Sequence, residues 1–380
     1  MAGLSTRLMH SDANTQRRTI DVVQPINVTT TFRYPDDPDD YVMAKDRPLE
    51  EISTGRPWYS RLSHPNSSKV EAVLGDLLEG EAVVYNNGLA AFNAALTYFN
   101  PKQVLIGDGY HGVHGILDLW TRNHGLVQLK LNEVDKLKEG DLIHIETPQN
   151  PYSTIHDLSY YVKVAREKKC KIMVDSTFGP PPLSNPWDFG VDMIMHSATK
   201  FFGGHSDLLA GVLVTKDKAV KTQLVEDRIF LGSNIANLEA FLILRSLRTY
   251  EMRLLRQSSN ATTLVKWLNE NRDKYPKLDK IYHSSLQKDD FVKKQMTGGF
   301  PPVFSMEFKT AEQSKRFPSK LTLFDHATSL GGVESLIEWR PMSDTHERET
   351  LLRVSVGIEN VEDLIADFKQ GLEQIEKEDN

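Results

Sequence analysis

Past residue 59 the apolar residues gather into short runs separated by stretches in which they recur every three or four positions. The runs 82–85, 103–106, 141–146, 171–174, 192–195 and 211–215 are rich in Val, Ile, Leu and Met and read as buried strands. Segments 68–79, 89–98 and 158–168 carry the helical period between them. Strands that are apolar on both faces and alternate with helices predict an α/β architecture, a mostly parallel sheet covered on both sides. Further on, 235–249 reads as a long helix bridging to a second region, where 303–308 and 351–356 read as strands and 361–374 as a closing amphipathic helix. The first residues are polar and turn-rich, with Pro35-Asp36-Asp37-Pro38-Asp39-Asp40 as a loop. The expected organisation is an arm at 1–58, a large domain at 59–246 and a smaller α+β domain at 247–380.

Composition changes this picture little. A chain of 380 residues suits two domains, and 39% hydrophobic with 26% charged residues is ordinary for a globular protein. The formal net charge of −7 and the scattered Lys and Arg exclude a nucleic-acid-binding surface from the expectations. Cys170 is the single cysteine, so no intrachain disulfide or structural zinc cluster is expected, and it reads as a small buried residue. No window approaches the about 18 apolar residues that span a bilayer, and the N-terminus has no signal-peptide core. A cytoplasmic protein without membrane association is expected. His111 and His114 stand three apart; they read as loop residues rather than metal ligands, and no metal site is expected.

In parallel sheets ligands collect beyond the carboxyl ends of the strands. Two such ends carry chemistry. Met193-Ile194-Met195-His196-Ser197-Ala198-Thr199-Lys200 leaves a strand through two hydroxyl residues into a lysine, followed by Gly203-Gly204. Lys171-Ile172-Met173-Val174 ends in Asp175. Singly, Lys200 would be a solvated edge lysine and Asp175 a turn cap. As a pair they suit pyridoxal 5'-phosphate, whose aldehyde takes a lysine, whose ring nitrogen takes an acid and whose phosphate takes hydroxyls and backbone N–H groups. The strand–turn–helix junction Tyr85-Asn86-Asn87-Gly88-Leu89-Ala90-Ala91 can form an anion cup at a helix start, or an empty βα turn.

The chain resembles the Cys/Met-metabolism (transsulfuration) family of pyridoxal-phosphate enzymes, the cystathionine γ-synthase and cystathionine lyase group. The likeness runs from Thr6-Arg7-Leu8-Met9-His10 to the C-terminal helix. Its strongest stretches are 174–178, 196–207, Ser329-Leu330-Gly331-Gly332-Val333-Glu334-Ser335-Leu336 and Arg353-Val354-Ser355-Val356-Gly357-Ile358-Glu359. The resemblance implies the type I fold of pyridoxal-phosphate transferases, a mostly parallel sheet in the large domain with a smaller C-terminal α+β domain. It implies that Lys200 holds the cofactor and is catalytic, that Asp175 pairs with the ring nitrogen, and that Ser197, Thr199, Gly88 and Leu89 bind the phosphate. By the same resemblance Tyr110 stacks on the ring and assists proton transfer, Asn150 lies near both cofactor and substrate, and Arg353 with Ser329 clamps the substrate α-carboxylate. Tyr59 and Arg61 match a pair that reaches the phosphate of a neighbouring subunit, implying a homodimer or homotetramer with shared sites.

The chain departs from the family pattern at His64-Pro65-Asn66, at Ser176, at Asn87 in the phosphate cup, at Thr328 before Ser329, and in the short 337–352 segment. The last two fall where substrate side chains are expected. The resulting expectation is a carbon–sulfur lyase acting on cystathionine-like substrates. Its alternatives are γ-replacement on an O-acylhomoserine and, from another class, a pyridoxal-phosphate-binding regulatory protein with little turnover.

Overall fold

The structure is a computed structural model describing residues 2–12, 21–48, 51 and 55–378. Seven strands form the larger sheet: β1 (Glu81–Tyr85), β2 (Gln103–Ile106), β3 (Val127–Lys130), β4 (Leu142–Glu146), β5 (Lys171–Asp175), β6 (Met193–Ser197) and β7 (Gly211–Thr215), in the spatial order β1-β7-β6-β5-β4-β2-β3. All pairings are parallel except those of β7, which runs antiparallel to both β1 and β6. The central strands are apolar throughout because helices cover both faces. Phe92, Ala95 and Leu96 of the helix Gly88–Phe99 pack on one side, and Leu158, Val164 and Ala165 of the helix Leu158–Lys168 pack on the other.

Register places the functional ends. Glu146 on β4 is paired with Asp175 on β5, Asp175 with Met195 on β6, and Ser197 with Gly211 on β7. The carboxyl ends of three neighbouring strands therefore open at one edge.

A second sheet orders β8 (Leu278–Tyr282), β9 (Val303–Phe308), β10 (Asp325–His326), β11 (Leu336–Trp339) and β12 (Leu351–Ser355) as β10-β11-β12-β9-β8, antiparallel apart from β10 with β11. The amphipathic helix Val361–Lys377 closes it. Asn360 caps Glu362 N–H, and Leu364, Phe368, Leu372 and Ile375 form its buried stripe. Phe368 meets Phe317 and Phe324 edge to face, and its burial contributes about 1.5–3 kcal/mol.

The helix predicted at 235–249 is Asn237–Leu247, but the bridging falls to a second helix beyond it. Asn237–Leu247 ends, and Tyr250–Asn271 then makes the crossing with a broad buried face. The longer helix stitches the molecule through polar side chains. Arg253 Nη1 donates to Phe201 O at 3.0 Å, Gln257 Nε2 to Gly332 O at 2.6 Å, and Asn260 Nδ2 to Gly357 O at 3.1 Å. The predicted arm contains a helix, Leu4–His10, whose Leu8 enters the main core; residues 13–20, 49–50 and 52–54 of the arm lie outside the described residues.

Candidate active site

Lys200 follows β6 after the turn Ala198-Thr199. Its N–H donates to Ser197 O at 3.2 Å, and its Nζ donates to Ser329 Oγ at 2.8 Å. Burial and the nearby Arg353 guanidinium bring the amine down to about 8, against an opposing pull from Glu338. Ser329 holds a left-handed conformation, φ 82°, that a non-glycine residue adopts at some cost, which marks it as a constrained position.

Asp175 is buried at the end of β5, and Thr177 donates to its Oδ1 through both backbone N–H, at 2.9 Å, and hydroxyl, at 2.6 Å. Oδ2 takes no partner among the described residues. Burial raises the Asp175 carboxyl above its usual range, and the two Thr177 bonds oppose that. Its register partner Glu146 accepts the Tyr110 N–H at 2.8 Å on Oε2 and the Asn150 N–H at 2.7 Å on Oε1. Burial, reinforced by the Asp175 charge, holds Glu146 above the ordinary carboxylate range as well. Glu146 thus ties together the two loops carrying Tyr110 and Asn150.

Arg353 on β12 stands opposite Glu338 on β11 and donates to Glu338 Oε2 at 2.6 Å. It also donates to Asn150 Oδ1 at 2.9 Å and to Ser329 O at 3.1 Å. Burial lowers the guanidinium to about 10. For Glu338, burial pushes up, but the Arg353 charge, the Ser343 hydroxyl and Arg340 outweigh it and leave the carboxylate below its usual range. Asn150 reaches Arg353 because the loop behind it is fastened to the second sheet, with Ser305 Oγ donating to Pro151 O at 2.7 Å.

The helix Gly88–Phe99 begins at the same edge. Asn87, in the place of the family's serine, caps it by accepting the Ala90 N–H at 2.8 Å. Gly88 sits so close to β6 that a Cβ there would meet Ser197 Cβ and Oγ at 3.3 Å. Ser197 N–H is anchored to Thr177 Oγ1 at 2.8 Å, while Thr199 Oγ1 donates to Ala210 O at 3.1 Å.

One cavity of about 490 Å³ is lined by Lys200, Tyr110, Asp175, Ser197, Thr199, Gly88, Leu89, Asn150, Ser329 and Arg353, together with Thr328. Sequence reading placed these residues in one site, and the fold brings them together. Tyr59 and Arg61 do not line it. Tyr59 is exposed, and Arg61 Nη1 donates to Ile229 O at 3.1 Å. His111, expected in a loop, is the first residue of the helix His111–His124, which Tyr110 caps; its Nδ1 lies 3.3 Å from Asp344 Oδ2, a carboxylate partner remote in sequence. No group of metal-binding side chains is found among the described residues.

Sequence reading missed Glu146, Thr177, Glu338 and Arg340. Thr177 had a local signal, since a residue two after an Asp is placed for an Asx turn. Glu146 stood at a strand end like Asp175, but its partner depends on register. Glu338 and Arg340 lay in the segment marked as divergent, and their pairing needs the second sheet.

The residues fit a phosphorylated pyridine aldehyde. The cavity holds a neutralisable lysine and a buried acid with one oxygen free. Opposite them lies a helix N-terminus seated against Ser197, where Gly88 N–H and Leu89 N–H have no partner among the described residues. Fold and site together define an enzyme of the pyridoxal-phosphate class. The chain belongs to the Cys/Met metabolism PLP-dependent enzyme family, which it matches over residues 5–373. It is 35% identical to the L-methionine gamma-lyase of Fusobacterium nucleatum over 349 residues, 83% of this chain and 86% of that protein. It is 34% identical to the cystathionine gamma-synthase of Escherichia coli K12 over 345 residues, 84% of this chain and 88% of that protein. The crystal structure of metB from Corynebacterium glutamicum superposes with a TM-score of 0.88 at 28% identity, covering 99% of each chain. The protein is accordingly a PLP-dependent lyase or synthase of sulfur amino-acid metabolism. Among the described residues no helix is long and apolar enough to cross a membrane.

Proposed function

We propose that the protein is a carbon–sulfur lyase acting on cystathionine-like amino acids. The observation that carries this reading is the 2.8 Å contact between Lys200 Nζ and Ser329 Oγ in a cavity shared with Asp175 and Arg353. Pyridoxal phosphate, when bound, supplies an electron sink for negative charge at the substrate Cα. Lys200 would hold the cofactor aldehyde and would take the substrate Cα proton; an amine brought down to about 8 is neutral often enough near neutral pH to serve as that base. Asp175 would hold the ring nitrogen in its protonated form. Gly88, Leu89, Ser197 and Thr199 receive the phosphate, and the Thr199 hydroxyl must release Ala210 O to donate there. Tyr110, on the cavity wall, would cover the ring and relay a proton. Arg353, Asn150 and Ser329 orient the substrate α-carboxylate, with Asn150 leaving its amide N–H groups for the ligand because its Oδ1 is already bonded.

Elimination needs one amino acid and the bases already in the cavity, Lys200 and Tyr110. Replacement at the γ-carbon needs, in addition, recognition of a second, nucleophilic amino acid. The likeness to a cystathionine gamma-synthase keeps that as the second reading. Tyr59 and Arg61 do not line the cavity of their own chain, which supports a homodimer or homotetramer in which they complete a neighbour's phosphate site. A single buried cysteine supports residence in the cytoplasm. Incubation with L-cystathionine, and separately with an O-acylhomoserine plus cysteine, followed by product identification, tests the reading. Pyruvate or an oxobutanoate released from cystathionine supports it; cystathionine formed in the second mixture, with none consumed in the first, overturns it.

A further inference from the structure

Arg340 is 2% exposed, yet it lines the same cavity as Lys200 and Arg353. It follows β11 in a turn, residues Arg340–Met342, within the segment that departs from the family pattern. Its Nη1 donates to Glu338 Oε2 at 2.9 Å and to Ser343 Oγ at 3.0 Å, and its Nη2 donates to Asp344 Oδ2 at 3.3 Å. A guanidinium has five N–H donors. Three are used, one Nη2 hydrogen is spare, and the buried Nε has no partner among the described residues.

Arg340 and Arg353 share two carboxylates, Glu338 and Asp344. Glu338 Oε2 accepts from Arg353 as well as from Arg340, so one carboxylate serves two guanidiniums. Asp344 is divided between Arg340 and two histidines, His111 at 3.3 Å and His346 at 3.6 Å. The acids that line the cavity, Glu146 and Asp175, both end strands of the large sheet, whereas both arginines come from the small one. One arginine meets the needs of an α-carboxylate. A second buried guanidinium on the same wall, with one Nη2 hydrogen still spare, is matched by a ligand bearing a second anion.

We propose that Arg340 is a specificity residue that selects amino-acid substrates carrying a distal carboxylate beyond the reacting carbon. The proposal rests on the pyridoxal-phosphate site described above and names the substrate class it takes.

The test titrates the cofactor-loaded enzyme with L-2-aminoadipate and with L-norleucine, which match in chain length and differ in the distal group. The visible absorbance of the cofactor and calorimetry report binding. Neither ligand has a leaving group, so the result does not depend on turnover. The wild type is expected to bind the dicarboxylate more tightly by roughly 30-fold or more, a preference that Arg340→Met abolishes. Arg340→Lys, which keeps charge but not the fork, is expected to retain an intermediate preference, and it supplies the same ratio should the Met variant fail to fold. Equal affinities in the wild type, or a substitution that weakens both ligands alike, overturn the proposal; the second result would make Arg340 only a support for Arg353 and Glu338. Failure to find lyase products with the preference intact would instead remove the proposed reaction and leave this assignment standing.

Discussion

Lys200 Nζ and Ser329 Oγ, 129 positions apart, are hydrogen-bonded at 2.8 Å across the two sheets. The contact is held from behind, where Val333 N–H donates to Gly204 O at 3.0 Å and the Ser329 segment lies against the backbone leaving Lys200. Lys200 and the proposed substrate clamp are therefore linked directly.

Lys200→Ala is expected to abolish the visible absorbance of the lysine-linked cofactor and to lower turnover by roughly 1,000-fold or more. Lys200→Arg should behave alike, because the guanidinium stays protonated. Spectra of protein purified with cofactor, alongside product assays, check this; a surviving band in either variant would contradict the assignment.

Cofactor loading should depend on pH through Lys200. Only the neutral amine reacts, so the loading rate of stripped protein should rise with pH and level off above about 8, rather than above the 10.5 of an ordinary lysine. The stability effect has the matching sign. Between those two pH values the unfolded chain holds a proton that the folded one has lost, so this group's contribution to stability rises with pH there. Stopped-flow absorbance across this range measures the first effect.

Glu146→Gln replaces an acceptor of two backbone N–H groups with a side chain that must turn an NH₂ toward one of them. A loss of about 1–3 kcal/mol is expected, with weakened cofactor binding as the Tyr110 and Asn150 loops separate. The pH dependence should also change. The folded wild type holds a proton on the raised Glu146–Asp175 pair that the unfolded chain releases above about 4.5, so stability of the cofactor-free protein falls as pH rises beyond it. Glu146→Gln should flatten that slope, and thermal unfolding from pH 5 to 8 would show it.

Gly331 has φ 84°, and a Cβ there would stand 2.9 Å from Phe201 N and 3.0 Å from Lys200 C. Gly331→Ala should cost about 2 kcal/mol or more, from the left-handed conformation and from pressure on the segment that carries Lys200. A lowered melting temperature together with a displaced cofactor absorbance is expected; an unchanged spectrum would show that the Lys200 segment is not held from this side.

Arg61→Ala and Lys200→Ala should each be inactive alone. If Arg61 serves a neighbouring subunit, mixing the two after dissociation should restore activity, because one hybrid site keeps both native residues. No recovery in verified hybrids would place Arg61 in its own subunit.

The composition of the site was legible where chemistry sits next to its strand: Lys200 after Ser197 and Thr199, Asp175 closing an apolar run, and Gly88 opening a helix. Those signals are local, since strand, turn and helix start lie within a few residues. Glu146 was missed although it ends a strand in the same way, because only the β4–β5 register sets it beside Asp175. His111 was read as unpartnered because Asp344, its partner, lies more than two hundred positions away, in the loop between β11 and β12.

The sequence by itself determined the α/β alternation and the pyridoxal-phosphate class and put Lys200 forward as the cofactor lysine, since burial pattern and local turn chemistry are written along the chain. The tertiary structure alone decided which charges face one another. Glu338 lies between Arg353 and Arg340, and Glu146 beside Asp175, because strand register and the seating of one sheet against the other bring them within hydrogen-bonding reach. Electrostatic partnership falls off over a few ångströms of space and is indifferent to separation along the chain.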